Sequence, residues 1–222
     1  MLAGDEGLGR GSRALYRILV ERLPEYGADT LVFHYLLPDS DWHNKILFVI
    51  QGLKRRPKLI ADAGYMYVAK MAGFATEYDL FTPDVGELAF LADEAAPHPF
   101  YTRGFLLYED ERVPELIQRA YAHQNASQCM LVKGKRDYVV KDGAILHVVE
   151  EPLVESLEAI GGTGDTITGM VSLLVDSGTD PVAASLLAAK ANRLAGLLSD
   201  PTPATQVVSI LERIPEALAR LA

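Results

Sequence analysis

Apolar residues along this chain follow two alternating periods: short continuous runs that suit buried strands, and three-to-four-residue spacing that suits helices. Ala14, Leu15, Ile18, Leu19 and Leu23 repeat at helical spacing behind Ser12, which is placed to cap that helix, and Pro24 to Gly27 end it. Thr30-Leu31-Val32-Phe33 reads as a buried strand closing at Pro38. A second helix is expected from about Ser40 to Leu53, with Trp42, Ile46, Leu47, Val49 and Ile50 on its apolar side. Lys54, Arg55 and Arg56 follow at its C-terminal end, where cations suit the dipole, and read as a solvated run. Lys58 to Ala61 is a short strand ending at Asp62, Tyr65 to Ala72 is helical, Leu80 to Pro83 is a strand, and Asp84 opens a helix through Ala92.

Residues 94–112 are rich in Pro, Gly and charge without a sustained period and read as a loop or lid. Beyond them come a helix from Val113 to Gln124 and a strand from Gln128 to Val132 that stops at Lys133-Gly134-Lys135. Asp137 to Val149 reads as a hairpin with Asp142-Gly143 at its turn. Three helices are expected last, over Thr166 to Asp176, Pro181 to Leu198 and Ala204 to Ala222. The strand, loop, helix alternation predicts an α/β fold: a mainly parallel central sheet with helices on both faces and antiparallel edge strands, in a single domain over residues 1–222. Ligands in such sheets sit at the carboxyl ends of strands, where Asp62 and the Asp84/Glu87 pair fall.

Composition narrows the partners. At 222 residues, 49% hydrophobic and 23% charged, the chain has the make-up of an ordinary globular protein, and its longest apolar runs, such as Ile46 to Ile50, are too short to cross a bilayer, so no membrane partner is expected. A net charge of -9 disfavours nucleic acid, whose binding is driven by Lys and Arg. Cys129 is the single cysteine, and Met1-Leu2-Ala3-Gly4-Asp5 lacks the basic and apolar regions of a signal peptide, so the cytoplasm is the expected compartment. The five histidines are scattered without zinc-ligand spacing; a metal, if used, is expected to be Mg2+ held by oxygen ligands and phosphate.

Candidate chemistry concentrates in Ile160-Gly161-Gly162-Thr163-Gly164-Asp165-Thr166-Ile167-Thr168-Gly169, a glycine-rich loop running into a helix. Such a backbone can turn several N–H groups toward one point at the positive end of the helix dipole, which makes an anion site. Asp165 is the odd member, because a carboxylate repels phosphate. It is either a helix cap or a group that performs chemistry on what binds there.

The order of motifs resembles the ribokinase-like superfamily, and within it the ATP- or ADP-dependent NAD(P)H-hydrate dehydratases, often described as carbohydrate kinases. The matching stretches are Ala61-Asp62-Ala63-Gly64, Thr82-Pro83-Asp84-Val85-Gly86-Glu87-Leu88, Leu131-Val132-Lys133-Gly134, and Gly161-Gly162-Thr163-Gly164-Asp165 through Gly169. The resemblance implies a three-layer ribokinase-like fold in which Gly161, Gly162, Thr163 and Gly164 form the anion hole for a transferred phosphoryl group and Asp165 is the general base. It implies also that Glu87 helps hold Mg2+ through water, and that Lys133 and Gly134 lie near the phosphates of ATP or ADP; Asp84, three residues before Glu87 at a helix start, lies close to the same face and could share the cation. Asp62 would lie toward the substrate, and Asn192 occupies a face where relatives contact the nucleotide. In the dehydratases a hydroxyl of hydrated NADH or NADPH is phosphorylated, phosphate leaves, and the normal cofactor returns.

Each of these positions has a plainer reading. Asp84 and Glu87 have the spacing of a capping pair, Asp62 could cap the helix at Tyr65, Lys133 could be a surface charge, and Asn192 an exposed helical residue. Gly4, Asp5 and the glycine-rich residues after them, through Ser12, read as a ligand loop on the substrate side. A homo-oligomer is the expected assembly. Two rivals to the dehydratase remain open: a small-molecule kinase for a sugar or vitamin-precursor alcohol, and a non-catalytic nucleotide-binding protein.

Overall fold

The computed structural model describes residues 10–93 and 112–221. The candidate residues Gly4 and Asp5, and the loop or lid expected over 94–112 except its last residue, lie outside the described residues. Helix α1 (Arg10–Tyr26) leads into strand β1 (Thr30–Phe33), followed by α2 (Ser40–Gln51), β2 (Lys58–Ala61), α3 (Gly64–Met71), β3 (Leu80–Phe81), α4 (Val85–Ala92), α5 (Val113–Ala122) and β4 (Cys129–Val132). A hairpin of β5 (Asp137–Lys141) and β6 (Ala144–Val149) precedes α6 (Thr163–Asp176), α7 (Pro181–Leu198), α8 (Val207–Leu211) and α9 (Ile214–Leu221).

The sheet runs β1-β2-β3-β4-β5-β6, in sequence order. Its first four strands are mutually parallel, and β5 and β6 add antiparallel to the edge. Parallel neighbours joined by crossovers of one hand place all the connecting helices on a single face. The other face is left for the end of the chain. Side-chain alternation along the strands divides the core accordingly. Phe33, Leu59, Ala61, Phe81, Met130, Val132 and Val140 pack with Ile46 and Ile50 of α2, Met66 of α3, Leu88 of α4 and Ile117 of α5. Ile60, Leu80, Leu131 and Val139 point the opposite way and pack with Ile167 and Val171 of α6, Ala188 and Ala191 of α7, Ile210 of α8 and Ala217 of α9. The result is three layers.

Local chemistry explains several boundaries. Asp142 and Gly143 both take positive φ, 49° and 83°, the conformation that a two-residue hairpin turn demands. Gly162, at φ 96°, precedes the first residue of α6, so this helix starts at Thr163 rather than the expected Thr166. The helix expected over Ala204 to Ala222 is two helices, α8 and α9: Pro215 can neither donate to the carbonyl four residues back nor fit beside it. Ser12 lies inside α1 instead of capping it, and its buried Oγ accepts from the Leu37 N–H at 3.1 Å. Arg56 is not merely solvated, since its guanidinium pairs at 2.8 Å with buried Asp79, which also accepts from Lys58 Nζ and the Leu59 N–H. Among the described residues no helix is long and apolar enough to cross a membrane.

Candidate functional site

The parallel order sets the carboxyl ends of four strands side by side. His34 follows β1, Asp62 follows β2, Thr82 and Asp84 follow β3, and Lys133 follows β4. The Lys133 N–H donates to the Pro83 carbonyl at 2.8 Å, which carries the β3/β4 pairing past the strands to an isolated bridge between Asp84 and Lys133. Helix α6 comes in over these ends with its N-terminus at the cleft. Its Thr168 hydroxyl donates to Asp62 Oδ2 at 2.7 Å and lies 3.1 Å from the Thr82 hydroxyl.

Asp62 is the hub of the cluster. Its side chain is 2% exposed and receives Lys133 Nζ at 3.0 and 3.2 Å, the Thr168 hydroxyl, and the Ala63 N–H at 2.9 Å. Burial pushes its carboxyl pKa up, but the His34 hydrogen bond, the Lys133 charge and the Thr168 hydroxyl outweigh that effect and bring it down to about 2. The carboxylate does not cap α3. It is held in place partly by Ala63 in a positive-φ conformation, 51°, uncommon for a residue with a Cβ.

His34 and Asp165 complete the cluster. His34 Nε2 lies 3.2 Å from Asp62 Oδ2 and 3.2 Å from Asp165 Oδ1. The Asp62 hydrogen bond raises the His34 pKa against the opposing effect of burial, and the charges of both aspartates add to the rise. Asp165 is in the first turn of α6, its side chain 44% exposed. Gly162 has no side chain with which to cap the helix, and the hydrogen bond of the Asp165 carboxylate among the described residues is with His34 Nε2. The first intrahelical bond runs from the Thr166 N–H to the Gly162 carbonyl, so the N–H groups of Thr163, Gly164 and Asp165 have no partner within the helix. Those amides, the helix dipole and Lys133 beneath Gly164 make this end positive; a Cβ at Gly164 would stand 3.6 Å from Lys133 Nζ. The chemistry of such a place suits a phosphate.

Asp84 and Glu87 do form a capping box. Asp84 Oδ1 accepts from the Glu87 N–H at 2.7 Å, and Glu87 Oε2 accepts from the Asp84 N–H at 2.8 Å. Burial, then the Asp84 charge, pushes the Glu87 carboxyl up to about 8, with Lys133 opposing and Asp62 adding. A half-buried acid raised by a neighbouring acid is short of positive charge. Hard oxygen donors in that condition suit a magnesium ion, for which each carboxylate has a second oxygen outside the box.

Two further residues hold this machinery from behind. Asn192, on α7, is buried rather than exposed: its Nδ2 donates to the Thr163 carbonyl at 3.3 Å and its Oδ1 accepts from the Thr166 hydroxyl, pinning the first turn of α6. Arg193, next to it, carries no local motif that would mark it in the sequence. Its guanidinium donates to Asp137 Oδ2 at 2.7 Å and to the carbonyls of Gly134, Lys135 and Glu150, fixing the turn after Lys133. Gly134, exposed, also donates its N–H to Asp137 Oδ1 at 3.1 Å. His34 was missed as well. It is a lone histidine after a strand, and both its partners are distant in sequence.

Comparison with known proteins points the same way. A family model described as NAD(P)H-hydrate dehydratase matches residues 37–216. An uncharacterised protein of Methanocaldococcus jannaschii is 42% identical over 216 residues, 97% of this chain and 88% of that protein. The bifunctional NAD(P)H-hydrate repair enzyme of Pyrobaculum aerophilum is 28% identical over 147 residues, 64% of this chain but 26% of that enzyme. Among solved structures, ribokinase of Thermotoga maritima superposes with a TM-score of 0.56 at 16% identity, covering 92% of this chain, which spans 59% of the kinase. The three layers are therefore a ribokinase-like fold.

Proposed function

The chain belongs to the NAD(P)H-hydrate dehydratase family, and on that premise we propose that it is an ATP- or ADP-dependent enzyme that phosphorylates a hydroxyl of a small, nicotinamide-nucleotide-like substrate. Asp165 is the general base. As the new O–P bond forms, the hydroxyl proton passes to the Asp165 carboxylate and the bond from the terminal phosphorus to the nucleotide breaks, leaving the shortened nucleotide with the electron pair. The N–H groups of Thr163, Gly164 and Asp165, which have no partner within the helix, donate to the phosphoryl oxygens, and Lys133 adds positive charge beside Gly164. Glu87 and Asp84 are the residues that would hold magnesium, whose charge offsets that of the phosphates. In the dehydratase reaction the phosphate then leaves and the normal reduced nicotinamide is restored.

The observation that carries this reading is the state of Asp165: a half-exposed carboxylate in the first turn of α6, beside amides that have no partner within the helix, whose hydrogen bond among the described residues is to His34 rather than to the helix backbone. The gathering of Lys133 and Asp165 around Asp62, with Glu87 within the influence of Lys133, supports an enzyme over a non-catalytic binding protein. The test is incubation with hydrated NADH, magnesium and ATP or ADP. Recovery of the reduced-nicotinamide absorbance is expected from the native chain, and a fall of about 10² to 10⁴-fold in D165N with nucleotide binding retained. Undiminished turnover in D165N would remove the base assignment; phosphorylated product without recovery of absorbance would favour the small-molecule kinase.

A further inference from the structure

His34 stands between one fixed carboxylate and one free to move. Asp62 cannot give way, because Lys133 Nζ, the Thr168 hydroxyl and the Ala63 N–H hold it in the buried floor of the cleft. Asp165 is half-exposed, and the partner its carboxylate meets is His34 Nε2. A single ring nitrogen 3.2 Å from an oxygen of each carboxylate must carry a hydrogen, since a bare lone pair there would be repelled from both sides.

From this geometry we propose that His34 is the positioning residue for Asp165: Nε2–H, anchored by Asp62, holds Oδ1 of Asp165 and leaves Oδ2 to take the proton of the substrate hydroxyl. The inference rests on Asp165 being the base. An unrestrained aspartate would sample several rotamers, and a displacement of about 1 Å at a reacting group costs about a hundredfold in rate. The anchoring works best while the imidazole is charged. Asp62 faces it from the end of β2 and Asp165 from α6; Lys133 reaches the shared carboxylate from β4; the Tyr35 ring lies edge-on at 4.1 Å, itself in the field of Asp84 and Glu87 from α4. Among the described residues, acidic groups outnumber cations around the ring, so the imidazolium persists above its ordinary range. Lys133 already stands at Asp62 where a metal ion would have to bind.

The test is proton NMR of the histidine ring signals of the full chain, titrated in the native protein and in D165N, with H34Q identifying the His34 resonance. His34 is expected to titrate above about 6.5 in the native chain, with a lower midpoint in D165N. Steady-state kinetics should show kcat down by about ten- to a hundredfold in H34Q with the nucleotide KM unchanged, and further down in H34A, which lacks any donor. The alkaline limb of the native kcat profile should be absent from H34Q. An unmoved midpoint in D165N with turnover lost overturns this inference alone; a moved midpoint with turnover intact overturns the base assignment beneath it. Native kcat in H34Q, or tight zinc binding that H34Q abolishes, would also overturn the positioning role.

Discussion

Lys133 Nζ lies 3.0 Å from one carboxylate oxygen of Asp62 and 3.2 Å from the other, so the lysine that ends β4 and the aspartate that ends β2 are joined across the end of β3. The pair is nearly dry, and removing one partner would leave the other charge buried. K133M should therefore destabilise the fold by about 3 kcal/mol, the low end for a broken buried pair, because Thr168 and the Ala63 N–H stay on Asp62. Urea unfolding of K133M beside the native chain measures it, and a loss below about 1 kcal/mol would show the pair to be solvated.

Asp62 predicts an acid limb of stability. Its folded pKa of about 2 lies below the unfolded value near 3.8, so the stabilisation is fully present above pH 4 and is lost as pH falls through 2. The difference corresponds to about 2 to 3 kcal/mol at about 1.4 kcal/mol per unit. Unfolding free energies of the native chain and D62N, compared between pH 2 and 5, should converge at the acid end.

Glu87 acts with the opposite sign. Its folded pKa, about 8, is above the unfolded 4.5, so between those values the folded chain keeps a proton that the unfolded chain has released. Stability falls as pH rises through that window. E87Q cannot ionise, and its amide oxygen can still accept from the Asp84 N–H. It should match the native chain near pH 4 and exceed it near pH 9 in melting temperature. Equal slopes for the two proteins would refute the burial argument.

Gly162 predicts a backbone effect. At φ 96° a side chain is strained, and a Cβ there would also meet Val207 at 3.4 Å. G162A should cost about 1 to 2 kcal/mol and weaken phosphate binding with it, because the turn that aims the α6 amides would relax. Thermal melts with and without ATP separate the two effects.

The alternation of strands and helices was legible because each element carries its own period, and the site residues at strand ends could be placed because a parallel sheet puts ligands there. The Asp142-Gly143 turn and the Asp84/Glu87 box are local, and local patterns state their own geometry. What escaped depends on distance along the chain. His34 meets Asp165 across 131 residues, and Arg193 meets Asp137 across 56. Nothing near either residue in sequence announces the partner. Asn192 was singled out for a face of α7, but its burial depends on how closely α6 packs beside that helix.

Because the strands pair in the order in which they are synthesised, β1 to β6 can assemble from the ribosome without waiting for later segments. Among the described residues, the helices that cover the sheet face bearing Ile60, Leu80, Leu131 and Val139 are α6 and those after it, all C-terminal to the six strands. A nascent chain that has made the strands but not yet α6 therefore exposes a broad apolar surface, the kind of surface that chaperones engage and that aggregates when left bare. The same late helix brings Asp165 and the N–H groups of its own first turn. Protection of the core and completion of the candidate cleft thus arrive in a single folding event, and an arrested chain ending before Thr163 has neither.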